Sequence, residues 1–176
     1  MLSLLVISDS HGDVAAVEKV LDNQLVLPDF ARPTHLIHLG DGIEDVVSCK
    51  LSDKYCLSLV AGNCDSIFYT YSNDIPKEKT IELAGYKIFI AHGHTLGVKS
   101  GEETAIERAA ILEADMVMFG HTHIPVSYNV KKGTLAGNTV LKKDLTVFNP
   151  GSLRYCRSFG AVTLGEKGIL TSHGKI

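Results

Sequence analysis

The sequence predicts an α/β fold in which two sheets pack face to face and helices cover their outer sides. Three observations carry that expectation. Short apolar runs alternate with helical patterns through the first third of the chain, the order that builds a parallel sheet with helices packed on it. The remainder is mostly strand, interrupted by one helical segment. No linker, repeat or charge block divides the 176 residues, so a single domain over 1–176 is expected, long enough to bury about 70% of its unfolded surface.

Residues 2–8 form a continuous apolar run, the signature of a strand buried on both faces. Asp13 is placed to cap a helix, because Val14, Val17, Val20 and Leu21 behind it share one face at helical spacing. Residues 35–39 read as the next strand and run into Gly40-Asp41-Gly42, after which Glu44 and Asp45 suit the positive end of a helix. A third strand at 57–61 ends at Gly62-Asn63. Past Pro76, residues 79–83 and 86–91 flank Gly85 as a hairpin or adjacent strand pair. Residues 101–114 predict a helix with Ala105, Ile106, Ala109 and Leu112 on one face, and 116–119 a strand that delivers Gly120-His121. Strands come next at 125–130, 145–149, 161–164 and 169–172. Lys131-Lys132 and Lys142-Lys143 bracket Ala136-Gly137-Asn138, which reads as a protruding hairpin with solvated lysines. A basic arm that recruits a nucleotide or a partner chain is the alternative.

Composition narrows the function classes. With 45% apolar and 21% charged residues the chain is ordinary for a soluble globular protein, and a net charge of −3 gives no bulk electrostatic drive toward nucleic acid. The opening MLSLLVISDSHGD lacks a basic n-region, and its apolar run is too short for a signal peptide or a membrane span. The four cysteines, Cys49, Cys56, Cys64 and Cys156, show no CxxC pairing, so reduced thiols and a cytoplasmic location are expected.

The residues just past the strands carry the chemistry. Asp9-Ser10-His11, Gly40-Asp41, Gly62-Asn63, His92-Gly93-His94 and Gly120-His121-Thr122-His123 come in that order, most of them directly after an apolar run. Strand ends on one edge of a sheet converge, so residues far apart in sequence share one site. Any one of these side chains alone has a plain structural explanation as a cap, a turn or a satisfied polar group. Together they do not: Asp-x-His and His-x-His each place two ligands on one side of an extended segment. Carboxylate, carboxamide and imidazole without thiolate suit hard to borderline divalent cations.

These motifs, in this order, resemble the calcineurin-like metallophosphoesterases. The resemblance runs from Asp9 to Ser152. Gly62-Asn63-Cys64-Asp65 and Asn149-Pro150-Gly151-Ser152 are similar to the small bacterial and archaeal phosphodiesterase branch. It implies a four-layer α/β/β/α sandwich of two facing mixed sheets flanked by helices, with a two-metal site. One metal is then held by Asp9, His11, Asp41 and His123, and the second by Asp41, Asn63, His92 and His121, with Asp41 bridging. The implied reaction is hydrolysis of a phosphodiester by in-line attack of a hydroxide that bridges two divalent ions about 3.5–4 Å apart. Manganese is the favoured metal, with iron, nickel, cobalt and zinc open.

In many relatives a His that can protonate the leaving group comes directly after the ligand Asn; here that position is Cys64, a poorer acid. Phosphodiesters with good leaving groups are therefore expected to outrun ordinary monoesters. His94 is a candidate catalytic and substrate-binding residue as a partial replacement for that acid; the equal alternative is a group that orients the ligands. Asn63 and Arg157 are the other candidate substrate contacts. The family often shows a Pro and then a basic residue after the Ser152 position, whereas this chain has Cys156-Arg157; Arg154 is a comparable candidate. Asp65 and Asn149 read as structural, and His35, His38 and His173 carry no site pattern.

A small phosphodiester is the expected partner, with no membrane, no strong nucleic-acid signal and a possible homo-oligomer. Two rivals stand: a scaffold of the same fold like the retromer subunit, and a nuclease like the double-strand-break nuclease of the same superfamily. Filled ligand positions, including His11, favour catalysis over the first. A short acidic chain offers the second little DNA-binding surface.

Overall fold

The computed structural model describes residues 1–65 and 75–176. Strand β1 (Leu2–Ile7), helix α1 (Val14–Leu25), β2 (His35–His38), the one-turn helix α2 (Ile43–Val47) and β3 (Cys56–Leu59) form the expected βαβαβ opening. They are followed by β4 (Glu78–Leu83), β5 (Tyr86–Ala91), α3 (Glu103–Ile111) and β6 (Met116–Met118). Then come β7 (Val126–Val130), β8 (Leu135–Ala136), β9 (Thr139–Val140), β10 (Leu145–Asn149), β11 (Ser158–Gly165) and β12 (Gly168–Lys175).

Two five-stranded sheets result, ordered β12-β11-β1-β2-β3 and β4-β5-β6-β10-β7. β1, β2 and β3 are parallel, as are β5, β6 and β10, while the remaining pairings are antiparallel. Both sheets are thus mixed.

Strand periodicity explains the layers, since alternate side chains leave opposite faces. Leu4 and Val6 point into the space between the sheets with Ile37, Ile88, Ile90, Met116, Met118 and Phe148. Leu5 and Ile7, one residue out of phase, pack against Val17, Val20 and Leu21 of α1. In the second sheet Phe89, Val117 and Val147 face outward onto Ala105 and Ala109 of α3. The order is helix, sheet, sheet, helix, as the sequence predicts. Asp13 caps α1 through its carboxylate, which accepts from the Ala16 amide at 3.0 Å.

Several boundaries differ, β3 among them, which runs Cys56–Leu59 where the sequence predicts 57–61. The α3 helix is shorter than 101–114, and Pro125, which has no amide to donate, stands outside β7. β11 and β12 pair over eight residues each, further than their apolar centres suggest, because the ladder continues through glycines. The β8–β9 hairpin does not protrude. Ala136 and Leu141 are 4% and 2% exposed in the apolar cluster with α3. Three of the four lysines beside it are ion-paired: Lys131 with Asp144 at 2.8 Å, Lys143 with Asp115 at 2.6 Å, and Lys142 with Glu113. Solvated, neutralised lysines fit that pairing better than a basic arm.

The topology fixes where chemistry can sit. Parallel β1, β2 and β3 deliver Asp9, His11, Asp41 and Asn63 to one edge of their sheet. Parallel β5 and β6 deliver His92 and His121 to one edge of theirs.

Candidate metal centre

Two clusters of donor atoms meet where these edges face each other. In the first, atoms of Asp9, His11 and His123 lie within 4.8 Å of one another; in the second, atoms of Asp41, His92 and His121 do. Asp9 Oδ1 is 3.2 Å from His123 Nε2 and 3.7 Å from His11 Nε2. Asp41 Oδ2 is 3.3 Å from His92 Nε2 and 4.0 Å from His11 Nε2, so a single oxygen faces both clusters. His92 Nε2 and His121 Nδ1 are 3.1 Å apart. Asn63 stands exposed at the rim, its Nδ2 donating to Cys64 Sγ at 3.3 Å.

These residues fit a cation. Asp9 is fully buried; its Oδ2 accepts from Ser8 Oγ at 2.5 Å and from the His121 amide at 3.1 Å. Its Oδ1, aimed at the imidazoles, is buried and makes no hydrogen bond among the described residues. A buried carboxylate oxygen left unpaired is costly, and a divalent ion between it and the two rings removes that cost. His92 Nδ1 lies 2.7 Å from the Leu39 carbonyl and donates to it, which turns the Nε2 lone pair toward Asp41 and His121.

Electrostatics point the same way. Burial opposes the Asp9 charge, but His123, His92 and the Ser8 hydroxyl outweigh it and hold the carboxyl below its ordinary value. Asp41 is likewise held low despite burial, by His92 and the Cys64 amide. Burial disfavours a charged His92, yet the hydrogen bond to Asp41 and the charges of Asp9 and Asp41 raise its pKa. Burial and the His92 and Lys99 charges push His121 down to about 4. A proton on His92 of the metal-free protein is one the cation has to displace. Metal affinity is accordingly expected to weaken as pH falls through the raised His92 pKa, with a proton released on binding. Titration calorimetry in buffers of different ionisation enthalpy reads this directly, and affinity that is flat from about pH 8 to 6 contradicts it.

The backbone is bent to build the site. Asp9, His11, Asp41, His121 and His123 have φ of 54°, 44°, 57°, 63° and 65°, a left-handed conformation that costs energy without glycine. Close contact beside the donors demands glycine. A Cβ on Gly62 would stand 2.1 Å from Asp41 Oδ1, and one on Gly120 2.0 Å from Ser8 Oγ.

Asp65 holds the Asp41 loop. Its two oxygens accept four backbone amides: Asp41 at 2.7 Å, Gly42 at 2.8 Å, Ile43 at 3.0 Å and Gly62 at 2.8 Å. Asp65→Ala strands four donors around a residue that is 3% exposed. It is expected to cost about 3 kcal/mol, seen as a lower urea midpoint; a loss below about 1 kcal/mol would remove Asp65 from this role. Asn149 does the same for the last loop, donating to the Gly120 carbonyl and Thr122 Oγ1, both at 3.0 Å. Ser152 Oγ donates to the Asp9 carbonyl at 2.9 Å.

The other candidates divide. His94 opens a 3-10 turn beside the second cluster, its ring centre 5.4 Å from that of His92, with Nδ1 buried and making no hydrogen bond among the described residues. Burial and the His92 and Lys77 charges lower its pKa, so it is neutral near pH 7 and a weak proton donor. Arg157 is drawn away: its Nη1 pairs with the helix-capping Asp13 at 2.8 Å. Arg154 Nη1 instead donates to the His11 carbonyl at 2.7 Å.

Sequence reasoning missed two residues. Fully buried His38 accepts from the Gly40 amide at 3.2 Å and so supports the Asp41 turn. Tyr155, 63% exposed, stacks on His123 with ring centres 5.1 Å apart. An apolar strand end and an isolated aromatic give no sequence signal of either contact.

Cys64 lies within the reach of His11 and Asp41, in a third group of donor atoms inside 4.8 Å. Its amide donates to Asp41 Oδ1 at 2.7 Å. Burial and the neighbouring Asp41 push the thiol up to about 11, so it is neutral at pH 7.

Known proteins resemble this chain in sequence and in fold. The sequence model of the calcineurin-like phosphoesterase superfamily domain matches residues 2–166. The chain is similar to the probable metallophosphoesterase YsnB of Bacillus subtilis, 31% identical over 156 residues that cover 89% of this chain and 78% of that protein. It is similar to the phosphodiesterase YfcE of Escherichia coli, 26% identical over 87% of this chain and 80% of that one. Among solved structures, Vps29 of Cryptosporidium parvum superposes with a TM-score of 0.66 over 99% of this chain and 97% of its own, at 14% identity. That last likeness shows the fold alone.

Proposed function

Since the chain belongs to the calcineurin-like phosphoesterase superfamily, we propose that it is a two-metal phosphodiesterase. The observation that carries the reading is the pair of three-ligand clusters joined at Asp41 Oδ2, beside a buried Asp9 oxygen that faces two imidazoles and makes no hydrogen bond among the described residues. Asp9, His11, Asp41 and His123 would hold one ion, and Asp41, Asn63, His92 and His121 the other. Manganese suits this oxygen and imidazole set. When bound, two such ions supply a hydroxide near neutral pH and stabilise charge on the phosphoryl oxygens.

The chain's own residues do the rest. Asp65, Asn149 and Ser152 fix the ligand loops, so the donors are preorganised and little reorganisation accompanies catalysis. With only two ligand carboxylates against two divalent cations the centre stays net positive, which favours a phosphodiester monoanion. Neutral Cys64 and His94 are weak proton donors, so departure of the leaving group rests on its own stability. Diesters with aryl or similarly acidic leaving groups are therefore the preferred class.

A scaffold of the Vps29 kind is the second reading. The buried Asp9 oxygen, which makes no hydrogen bond among the described residues and faces His123 Nε2 at 3.2 Å, favours a bound cation and so the enzyme over a surface used only for docking. Chelator-stripped protein reloaded with manganese is expected to hydrolyse bis(p-nitrophenyl) phosphate. Absence of turnover with manganese, iron, cobalt, nickel and zinc alike would leave the scaffold.

A further inference from the structure

Two cavities flank the donor clusters. One, of about 400 Å³, is lined by His11, Asp41, Cys64 and Asp65. Because it is lined by donor residues of both clusters, it is the natural side for the leaving group. The other, of about 720 Å³, lies between the start of α3, strand β7 and strand β8. No donor residue is among its described lining, but Thr122 is, and Thr122 stands between His121 and His123 in the chain, so the groove begins one residue from the second ion's ligand.

We propose that this second groove holds the arm of the phosphodiester that does not leave, and that this arm is uncharged and partly apolar. The inference deepens the phosphodiesterase reading and rests on it. The volume falls in the range of small-ligand sites, about 300–1,000 Å³. The walls include Ile106, Ile124, Val126, Tyr128 and Leu135, and Ile124 and Leu135 are 63% and 64% exposed. Apolar surface gathered in a concavity beside a reactive centre gains by being covered.

The charges choose among arms. Glu102 and Glu103 line the groove, Glu102 accepting the Tyr128 hydroxyl across it and Glu103 accepting the Gly137 amide at 3.0 Å. Two carboxylates repel a polyanionic strand, so a nucleic-acid chain does not continue through here. Lys99 is the one cation of the lining; it is exposed and has no ion pair among the described residues. It is free to meet the substrate phosphate at the mouth. A nucleoside or aryl group on a single phosphodiester satisfies all three conditions.

The test compares two diesters with the same leaving group, bis(p-nitrophenyl) phosphate and methyl p-nitrophenyl phosphate, on the manganese-loaded protein. The ratio of their kcat/KM values contains intrinsic reactivity, but that part cancels between variants. Leu135→Asp and Tyr128→Ala are each expected to lower the ratio about tenfold, through KM for the aryl-armed diester. Calorimetry supplies a readout without turnover: both variants should bind diphenyl phosphate about tenfold more weakly relative to dimethyl phosphate. An unchanged ratio in both variants, with wild-type hydrolysing both esters, overturns the groove assignment alone. Failure of wild-type on both esters overturns the phosphodiesterase reading, and the groove assignment with it.

Discussion

Asp41→Asn is expected to lower manganese-dependent hydrolysis of bis(p-nitrophenyl) phosphate by about a thousandfold or more. The size of the effect comes from the position of one oxygen. Asp41 Oδ2 faces His92 Nε2 at 3.3 Å and His11 Nε2 at 4.0 Å, so it serves both clusters. Two cations held close together repel strongly unless an anion lies between them. A carboxamide keeps the shape and the acceptor for the Cys64 amide, which sits 2.7 Å from Asp41 Oδ1. It supplies no charge. Metal content should therefore fall below two per chain, while the melting temperature of stripped protein moves by only a few degrees. A variant that retains both metals and its turnover would exclude Asp41 as the bridge.

Cys64→His is expected to raise activity where wild-type is weakest. A general acid contributes about 10²–10⁴-fold when the leaving group needs its proton. The thiol, pushed up to about 11, is neutral and holds its proton too tightly to give it up readily. Imidazole at the same position, within reach of His11 and Asp41, titrates near neutrality and carries a proton to donate. Turnover of diesters with alkyl leaving groups should rise about a hundredfold, while p-nitrophenyl esters, which need no acid, change little. The two rates measured side by side check this. Equal changes in both, or none in either, would mean that this position does not face the leaving group.

The sequence reveals the ligands more readily than the groups that hold them. Continuous apolar runs in β1 and β5, and the helical spacing behind Asp13, announce the layers because such patterns are local properties of the chain. The ligand motifs announce themselves because metal binding restricts residue type as well as position. Long-range support is harder to read. Asp65 satisfies four amides, yet its neighbours in sequence give the same pattern as any turn aspartate. Left-handed φ at Asp9, His11, Asp41, His121 and His123 is invisible too, because none of them is glycine. Arg157 shows the reverse: a basic residue near the motif pairs with Asp13, whose proximity only the fold creates. The lysines around β8 and β9 similarly find carboxylates on distant segments, Asp115 among them.

The central claim is a pair of metal ions sharing Asp41, and anomalous diffraction at the manganese edge from manganese-soaked crystals tests it most directly. Two peaks about 3.5–4 Å apart, one beside Asp9, His11 and His123 and the other beside Asn63, His92 and His121, with the Asp41 carboxylate between them, is the predicted result. A single peak at saturating manganese, or two peaks with Asp41 turned away from one of them, would contradict it.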